Sequence, residues 1–242
     1  MIRAERLSFA FGPGAPALDE VAFAVAPGAL LGVVGANGSG KSTLLALVAG
    51  IFTPTGGSLA VGGDRSPGGE EAIRRRAALV LQDPDQQIIG ATVEEDLLLG
   101  VPAAAAARRD EARRLAARFG LEDLGAPVHT LSIGSRRKLC IVTALRDAPS
   151  VLLLDEPFAG LDYPAVREMR AILAANRAAG VTQLVAAHDL EAFADLADRW
   201  MVLARGKVAA AGTAEEVFPE LPRHGVRPPG GWLAARGLGP WE

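Results

Sequence analysis

One nine-residue stretch, Gly35-Ala36-Asn37-Gly38-Ser39-Gly40-Lys41-Ser42-Thr43, has residue types and spacing that suit phosphate binding. It fits the pattern G-x-x-x-x-G-K-[ST] of a phosphate-cradling P-loop. Glycines let successive backbone N–H groups turn inward without Cβ clashes, and those donors hold phosphate oxygens. Lys41 would then reach the β- and γ-phosphates, and the Ser42 hydroxyl would ligate Mg²⁺. The stretch therefore predicts a nucleotide phosphate site.

Two further polar clusters have residue types that suit phosphate chemistry. Asp155 and Glu156 follow the apolar run Val151–Leu154. In a chain with a P-loop, Asp155 in this place would hold Mg²⁺, and Glu156 would act as general base toward the attacking water. The alternative is a helix cap or a surface carboxylate pair. His188 follows another apolar run and would donate to the γ-phosphate, although a lone histidine is more often structural.

The elements that must position these clusters form an α/β pattern. The strand Leu30–Val34 precedes the P-loop, and a helix over Thr43–Ala49 follows it and stops at Gly50. Apolar runs such as Val151–Leu154 and Leu184–Ala187 are typical of parallel strands buried on both faces. All three polar clusters fall at the ends of predicted strands, where open α/β sheets bind ligands.

The remaining pattern predicts an N-terminal antiparallel part and several capped helices. The further expectations are antiparallel strands over 2–11 and 20–26, strands over Ser58–Val61 and Ala78–Leu81, a capping-box helix from Thr92 to Leu99, helices over Ala103–Phe119 and from about Gly134 to Leu145 with Ser132 as N-cap, a helix capped by Asp162, a short helix over Glu191–Leu196, a hairpin around Arg205-Gly206, a second capping box at Thr213, and a loosely ordered tail from Pro219.

Composition excludes several classes of protein. A chain of 242 residues, half of them hydrophobic, suits one large domain, or one domain with a small appendage. The net charge of −3 gives no global basic field for nucleic acid. A single cysteine, Cys140, excludes an internal disulfide and fits a reducing cytosol. We expect neither a signal peptide nor a bilayer-spanning segment, because no uncharged apolar run reaches about 18 residues.

Six motifs in order give the chain a family resemblance. They are the Walker A loop at 35–43, Gln82 at the Q-loop, Leu131-Ser132-Ile133-Gly134-Ser135 at the signature motif, the Walker B strand ending in Asp155-Glu156, the D-loop Ala159-Gly160-Leu161-Asp162, and His188 as switch histidine. The chain from Leu7 to about Phe218 resembles the nucleotide-binding subunit of ABC transporters. The resemblance implies an ABC-type P-loop core over 1–218, with an antiparallel β subdomain, a helical subdomain at about 83–147, and a tail over 219–242.

The resemblance also implies how the sites work. Two subunits would sandwich two ATP molecules head to tail, each with Mg²⁺. Ser132, Ile133 and Gly134 would bind the nucleotide held by the partner's P-loop. Phe11 would stack on adenine, and Gln82 would sense the metal and the water and link them to the membrane partner. Asp162 would lie in the dimer contact.

One segment resembles a particular subfamily. Gln82-Asp83-Pro84-Asp85-Gln86-Gln87, followed by Gly90 to Asp96, is similar to the ATPases of energy-coupling factor (ECF) importers of vitamins or transition-metal ions. This implies a pair of ATPases beneath a transmembrane coupling protein and a substrate-binding membrane protein. The subunit would lie peripherally on the cytoplasmic face of the membrane. The substrate itself is not encoded in this chain.

The signature motif departs from the usual Leu-Ser-Gly-Gly-Gln. Ile133 stands where glycine is expected, and Ser135 where glutamine is expected. A β-branched residue neither adopts a positive φ readily nor allows equally close backbone approach, so we expect a weakened site. The second ATPase subunit would be a second copy or a different chain, and a weakened site favours the heterodimer. Alternatives are another ABC importer, a soluble ABC-type ATPase acting on DNA or ribosomes, a P-loop kinase or GTPase, and a nonhydrolysing regulatory subunit. The distal motifs, Glu156 and His188 argue against the last two.

Overall fold

A computed structural model describes residues 1–233 as two sheets flanked by helices. Within those residues the strands are β1 (Ile2–Phe9), β2 (Leu18–Val25), β3 (Leu30–Val34), β4 (Gly56–Val61), β5 (Asp64–Ser66), β6 (Ala77–Val80), β7 (Val151–Asp155), β8 (Thr182–Ala187), β9 (Arg199–Ala204) and β10 (Lys207–Gly212). The helices are α1 (Lys41–Val48), α2 (Glu70–Arg74), α3 (Val93–Leu97), α4 (Ala106–Arg118), α5 (Ile133–Leu145), α6 (Tyr163–Ala178), α7 (Ala214–Val217) and α8 (Gly230–Leu233).

The larger sheet has the order β10-β9-β3-β8-β7-β6, and only β10 runs antiparallel to its neighbour. Every residue of β3, β7 and β8 is buried. Their side chains alternate between two hydrophobic clusters: Leu153 packs into one, while Leu152 and Leu154 pack into the other. Because both faces of the sheet are covered, the sequences of these strands are continuous apolar runs. The predicted α/β architecture with a mostly parallel sheet is confirmed.

The smaller sheet, of order β2-β1-β4-β5, is antiparallel throughout. It forms the expected N-terminal β subdomain, and its buried residues share a cluster with α1. The first strand ends at Phe9, two residues earlier than predicted, so Phe11 lies in the loop before β2. The sequence pattern did not predict β5 or α2.

The helical subdomain has its own hydrophobic cluster, formed mainly by α3, α4 and α5. Helix α4 starts at Ala106 instead of Ala103, and α3 ends at Leu97 instead of Leu99. Thr92 caps α3 as predicted, since its hydroxyl accepts from Glu95 N. The reciprocal half of that capping box is replaced, because the Glu95 carboxylate accepts from Ala91 N at 2.9 Å.

Two expectations near the C-terminus differ from the structure. Residues 191–196 form turns instead of a short helix. The backbone hydrogen bonds here join residues three apart, as from Phe193 N to Leu190 O. In addition, Arg170 Nη1 of α6 donates to Ala192 O at 2.6 Å. The tail expected to be loosely ordered from Pro219 instead begins with a 3₁₀ helix, Phe218–His224.

This C-terminal segment packs against the domain because it carries apolar residues among its prolines. Leu221 and Val226 are buried in the cluster behind β3, and the Trp232 ring meets Phe218 edge-on at 5.6 Å. Trp241 and the rest of the predicted tail, 234–242, lie outside the described residues.

Candidate functional site

The P-loop connects β3, in the middle of the larger sheet, to the N-terminus of α1. Gly40 is the N-cap of α1, with φ of 107°. A Cβ there would lie 2.8 Å from the Ala17 carbonyl oxygen and 2.7 Å from Leu18, so the packing as well as the backbone demands glycine. The loop thus presents backbone N–H groups at a helix N-terminus, an arrangement that favours anions.

Lys41 is the first residue of α1 and is buried, with 6% of its surface exposed. Its Nζ donates to Gly35 O at 2.8 Å and to Ala36 O at 3.4 Å, and lies 3.9 Å from Glu156 Oε1. Burial lowers the pKa of Lys41, and the charges of Glu156 and Asp155 oppose that shift. The ammonium group is therefore held inside the loop, where a negatively charged phosphate would be a favourable partner.

Asp155 is the last residue of β7 and is buried. Burial raises the pKa of its carboxyl, while a hydrogen bond from Ser42 lowers it. Its Oδ1 is buried without a hydrogen-bond partner. A buried carboxylate oxygen without a partner is costly, and hard cations such as Mg²⁺ prefer such oxygen ligands. The donor set of Asp155 and the Ser42 hydroxyl therefore fits Mg²⁺.

Glu156 and His188 meet across two adjacent strand ends. His188 Nδ1 lies 2.9 Å from Glu156 Oε1, and His188 N donates to Oε2 at 3.4 Å. Glu156 has φ of 47°, in the left-handed region, and its N–H donates to Ala186 O at 2.8 Å. An unfavourable backbone conformation held by neighbouring structure is a recurrent feature of functional sites.

A single cavity of about 460 Å³ joins most of the residues predicted for nucleotide chemistry. Phe11 is 71% exposed at its mouth and contacts Phe9 and Phe52 edge-on, at 5.0 and 5.5 Å. Gln82 also lines the cavity, in the loop after β6. The full lining is Phe11, Ala17, Asn37, Gly38, Ser39, Gly40, Lys41, Ser42, Thr43, Gln82, Asp155 and Glu156.

Other predicted site residues lie outside that lining. Ala36 lines a neighbouring cavity, and Gly35 accepts the Lys41 bond. Ser132 caps α5, its hydroxyl accepting from Ser135 N at 3.1 Å, and Ile133 is 49% exposed. Since Ile133 is the first helical residue, the positive φ that motivated the expected weakening is not required there. Asp162 caps α6 by accepting from Ala165 N at 3.0 Å.

Sequence analysis missed one residue that connects these parts. Arg137, on α5, is buried and donates to carbonyl groups of three loop residues. In the sequence it stands in the middle of Arg136-Arg137-Lys138, where nothing distinguishes it from a solvated basic residue. Phe52, which stacks on Phe9 at 5.0 Å behind Phe11, was also missed.

Comparison with known proteins identifies the family to which the chain belongs. The sequence profile described as ABC transporter matches residues 18–159, more than half of the chain. The chain therefore belongs to the ABC transporter family, as an ATP-binding and ATP-hydrolysing subunit. The part of the chain that the structure describes contains no helix with the length and apolar character needed to cross a bilayer.

Three relatives of known name are similar to the chain over most of its length. The chain is 40% identical over 239 residues to the cobalt import ATP-binding protein CbiO of Rhodobacter capsulatus, covering 95% of this chain and 85% of that protein. It is 38% identical to the nickel import ATP-binding protein NikO of the same organism, covering 85% of this chain and 86% of that one. It is 34% identical to the energy-coupling factor transporter ATP-binding protein EcfA of Methanothermobacter thermautotrophicus, covering 90% and 72%.

A solved structure agrees with these sequence relatives. The fold matches that of CbiO1 from Clostridium perfringens, described as part of the ABC transporter complex CbiONQ, with a TM-score of 0.80, 31% identity and 90% of each chain covered. Together the matches confirm the resemblance to ABC ATPases of the cobalt and ECF type.

Proposed function

We propose that this chain is an ATPase subunit of an ECF-type importer that takes up a vitamin or a transition-metal ion. The observation that carries the ATPase part is the single cavity in which Lys41, Asp155 and Glu156 meet. The ECF part is supported by the segment from Gln82 to Asp96 and by relatives named for cobalt import, nickel import and energy coupling.

ATP would enter the cavity with its phosphates on the P-loop and its adenine against Phe11. The residues Asn37 to Thr43 line the phosphate end, and the exposed Phe11 ring offers a π face at the mouth. The Lys41 ammonium donates to Gly35 O and Ala36 O. Phosphate oxygens would give it negatively charged acceptors in a site where burial disfavours the charged form of the ammonium. Charge-assisted hydrogen bonds of this kind are the strong ones.

Mg²⁺ would be held by Ser42 and Asp155, with Gln82 at the rim. The support is chemical: Asp155 offers a buried oxygen without a partner, and Ser42 already hydrogen-bonds this carboxyl. When bound, the ion would neutralise charge on the β- and γ-phosphates. It would also relieve the burial of an otherwise uncompensated carboxylate.

Glu156 would orient and deprotonate the water that attacks the γ-phosphate. A general base must lie within hydrogen-bond reach of its proton, and Glu156 lines the same cavity as the P-loop. His188 would hold the Glu156 carboxylate in place through the 2.9 Å contact. Because His188 is half-exposed beside the cavity, it would also reach the γ-phosphate.

A second subunit would complete the site. Ser132, Ile133 and Gly134 sit at the N-terminus of α5, a 13-residue helix, and would approach the partner's nucleotide. The half-exposed Ile133 side chain stands at this N-terminus, where glycine would allow phosphate to come closer to the backbone. For that reason we propose a heterodimer in which the chain offers its partner the weaker half-site. The D-loop residue Asp162 would lie in the same contact.

The membrane partner would dock on the helical subdomain at the cytoplasmic face. Ile89 is 76% exposed and lies seven residues after Gln82. The buried Asp96 carboxylate accepts from Ile89 N at 2.8 Å and Gly90 N at 3.1 Å, so this backbone is braced while the Ile89 side chain points outward. We place the contact here because the Ile89 side chain is apolar and exposed on a backbone that cannot easily move.

The test is affinity purification of the full chain from detergent-solubilised native membranes, with mass spectrometry of the co-eluting proteins. We expect a coupling membrane protein, a small substrate-binding membrane protein and a second ATPase. The variant Ile89→Asp should lose the membrane proteins but keep its ATP affinity. Two ordinary permease subunits would overturn the ECF assignment alone. Recovery with ribosomes or DNA-binding proteins instead would overturn the transport function.

A further inference from the structure

Among residues 1–233, Arg137 is the most deeply buried charged residue outside the nucleotide cavity, with 3% of its surface exposed. Within residues 1–233 no carboxylate forms an ion pair with it. Burial lowers the pKa of its guanidinium, and nearby charges only partly oppose that shift. Burying a cation without a paired carboxylate costs free energy, so the guanidinium must be stabilised by well-placed hydrogen bonds.

Those hydrogen bonds reach two loops that come from different strands. Nη1 donates to Pro157 O at 3.0 Å and to Ala159 O at 2.6 Å, in the loop after β7. Nη2 donates to Gln82 O at 2.8 Å, in the loop after β6. Arg137 itself lies on α5, three residues after Gly134 and five after the cap Ser132, which is less than two turns of helix.

The loop after β7 is the one that carries Glu156. Glu156 is held in the left-handed region, and its carbonyl accepts from Ala159 N at 3.1 Å, which closes a turn over residues 156–159. Arg137 binds two carbonyl groups of this same turn. A lysine ammonium is a compact point charge, whereas a guanidinium is a rigid fork that can bind several carbonyl groups at once.

We propose that Arg137 is a positioning residue that joins the signature helix to the Glu156 turn and to Gln82. A movement of α5 at the partner's nucleotide would then shift Glu156 and Gln82 in this chain's own nucleotide site. Arg137 would thereby couple the signature motif, which contacts the partner's nucleotide, to the residues that act on this chain's own nucleotide. The inference rests on the proposed function, because it needs two sites that hydrolyse ATP.

The neighbouring Arg136 provides a matched control. It lies on the same helix, carries the same charge, and makes one ion pair with the exposed Asp85 at 2.7 Å. Replacing it removes a surface contact worth little to stability. We therefore compare Arg137→Lys, Arg137→Ala and Arg136→Ala in the full chain, assembled with its co-purified partners.

We expect Arg137→Lys and Arg137→Ala to lower kcat by about 10- to 100-fold, because small misplacements of catalytic groups have effects of that size. ATP affinity of the chain should change less than about twofold, since Lys41 and the P-loop do not contact Arg137. Guanidinium ion at millimolar concentration should restore part of the turnover of Arg137→Ala and none of that of Glu156→Gln. Arg136→Ala should match the wild type.

Hydrogen exchange of the chain alone gives a readout that does not depend on transport or on turnover. In Arg137→Lys, amides of residues 82–83 and 158–160 should exchange faster, while those of residues 41–48 in α1 stay protected. Unchanged exchange in both loops, or kcat within twofold of the wild type, would overturn the proposal. An equal loss in Arg136→Ala, or an equal loss of ATP affinity and kcat, would overturn it too. A wild-type complex without ATPase activity would instead count against the proposed function.

Discussion

The chain carries two regions that we propose to bind anions, and they are built in opposite ways. At the P-loop, the fold of the chain itself fixes the residue types: a Cβ on Gly35 would lie 2.2 Å from Leu203 O, and Lys41 is almost completely buried. At the signature motif, Ile133 is half-exposed, and the Ser132 hydroxyl lies 3.0 Å from that of Ser135. Nothing in this chain's own packing demands a particular side chain at Ile133.

This difference explains where the sequence departs from its family. A glycine that the chain's own packing requires, such as Gly35, cannot change without a clash, whereas an exposed residue such as Ile133 is constrained mainly by what binds it. The P-loop pattern is complete, and the signature motif is altered at two positions. The contrast therefore predicts that substitutions at the P-loop cavity act within one chain, and that substitutions at the signature motif act only in the assembled dimer.

The largest effect should come from Glu156→Gln, which removes the proposed base on the P-loop side and leaves the shape unchanged. Turnover should fall by about 10²- to 10⁴-fold, the usual contribution of general-base catalysis. ATP should still bind and accumulate in a closed dimer, measured by size-exclusion chromatography with Mg-ATP. Glu168→Gln is the control, since Glu168 makes an exposed ion pair with Lys138. Robust hydrolysis by Glu156→Gln would remove Glu156 as the base.

Lys41→Ala should weaken ATP binding by the isolated chain about 100-fold. A buried, charge-assisted contact to phosphate contributes about 1.5–3 kcal/mol, and 2.7 kcal/mol corresponds to that factor. Isothermal titration with a slowly hydrolysed ATP analogue measures the change. Lys207→Ala, which removes an exposed partner of Asp19, should bind like the wild type. Wild-type affinity in Lys41→Ala would refute the P-loop assignment.

The double substitution Ile133→Gly with Ser135→Gln restores the usual signature residues and tests the other side of the contrast. It should raise turnover of the assembled complex several-fold, because a flatter helix N-terminus approaches phosphate more closely and Ser132 loses its hydroxyl partner. ATP affinity of the isolated chain should stay unchanged. Unaltered turnover of the complex would show that the natural motif is not weakened.

The same contrast separates what the sequence could predict from what it could not. The P-loop strand and helix, the two strand-end clusters and the caps Ser132 and Asp162 follow local rules of apolar runs and turn chemistry, and the structure brings Lys41, Asp155 and Glu156 together. Contacts between distant segments leave no such local pattern. Arg137 reads as one of three consecutive basic residues, and the turns at 191–196 depend on a hydrogen bond from Arg170.

Two further expectations differ from the structure. The Pro/Gly-rich composition after Phe218 suggested a loose tail, but Leu221 is fully buried, which composition alone does not reveal. At Ile133 the positive φ is not required, because the residue is the first of α5, whose N-cap Ser132 was predicted correctly. The closer backbone approach that glycine would allow there stays a prediction.

A smaller effect should come from Phe11→Leu, at the mouth of the P-loop cavity. Leucine keeps apolar contact with Phe9 and Phe52 but lacks a π face, and aromatic stacking contributes about 1 kcal/mol. ATP should bind about fivefold more weakly, while inorganic triphosphate, which has no base, should bind equally well to both proteins. Phe11→Tyr should match the wild type. Equal weakening for ATP and triphosphate would mean that Phe11 supports the loop instead of the adenine.

The smallest effect should be a pair of opposite shifts in thermal stability of the nucleotide-free chain. Asp155→Asn should raise the melting temperature at pH 7 by about 2–4 °C, the shift that about 1 kcal/mol gives in a domain of this size. The reason is that burial raises the pKa of Asp155. Between its unfolded and folded pKa values the native state binds more protons, so stability falls as pH rises through that window, and the ionised carboxylate destabilises the fold above it.

The matched variant on the signature side is Ser132→Ala, which should lower the melting temperature by a similar amount because loss of an N-cap costs about 1 kcal/mol. Its shift should be independent of pH. The gain in Asp155→Asn should shrink as pH falls through the raised folded-state pKa of Asp155 and vanish below its unfolded-state pKa, which is about 3.9. Differential scanning fluorimetry across that range measures both. A destabilising Asp155→Asn would mean that the attraction of Asp155 for Lys41 exceeds the cost of burying it, and that the P-loop cavity is assembled for stability as well as for ATP.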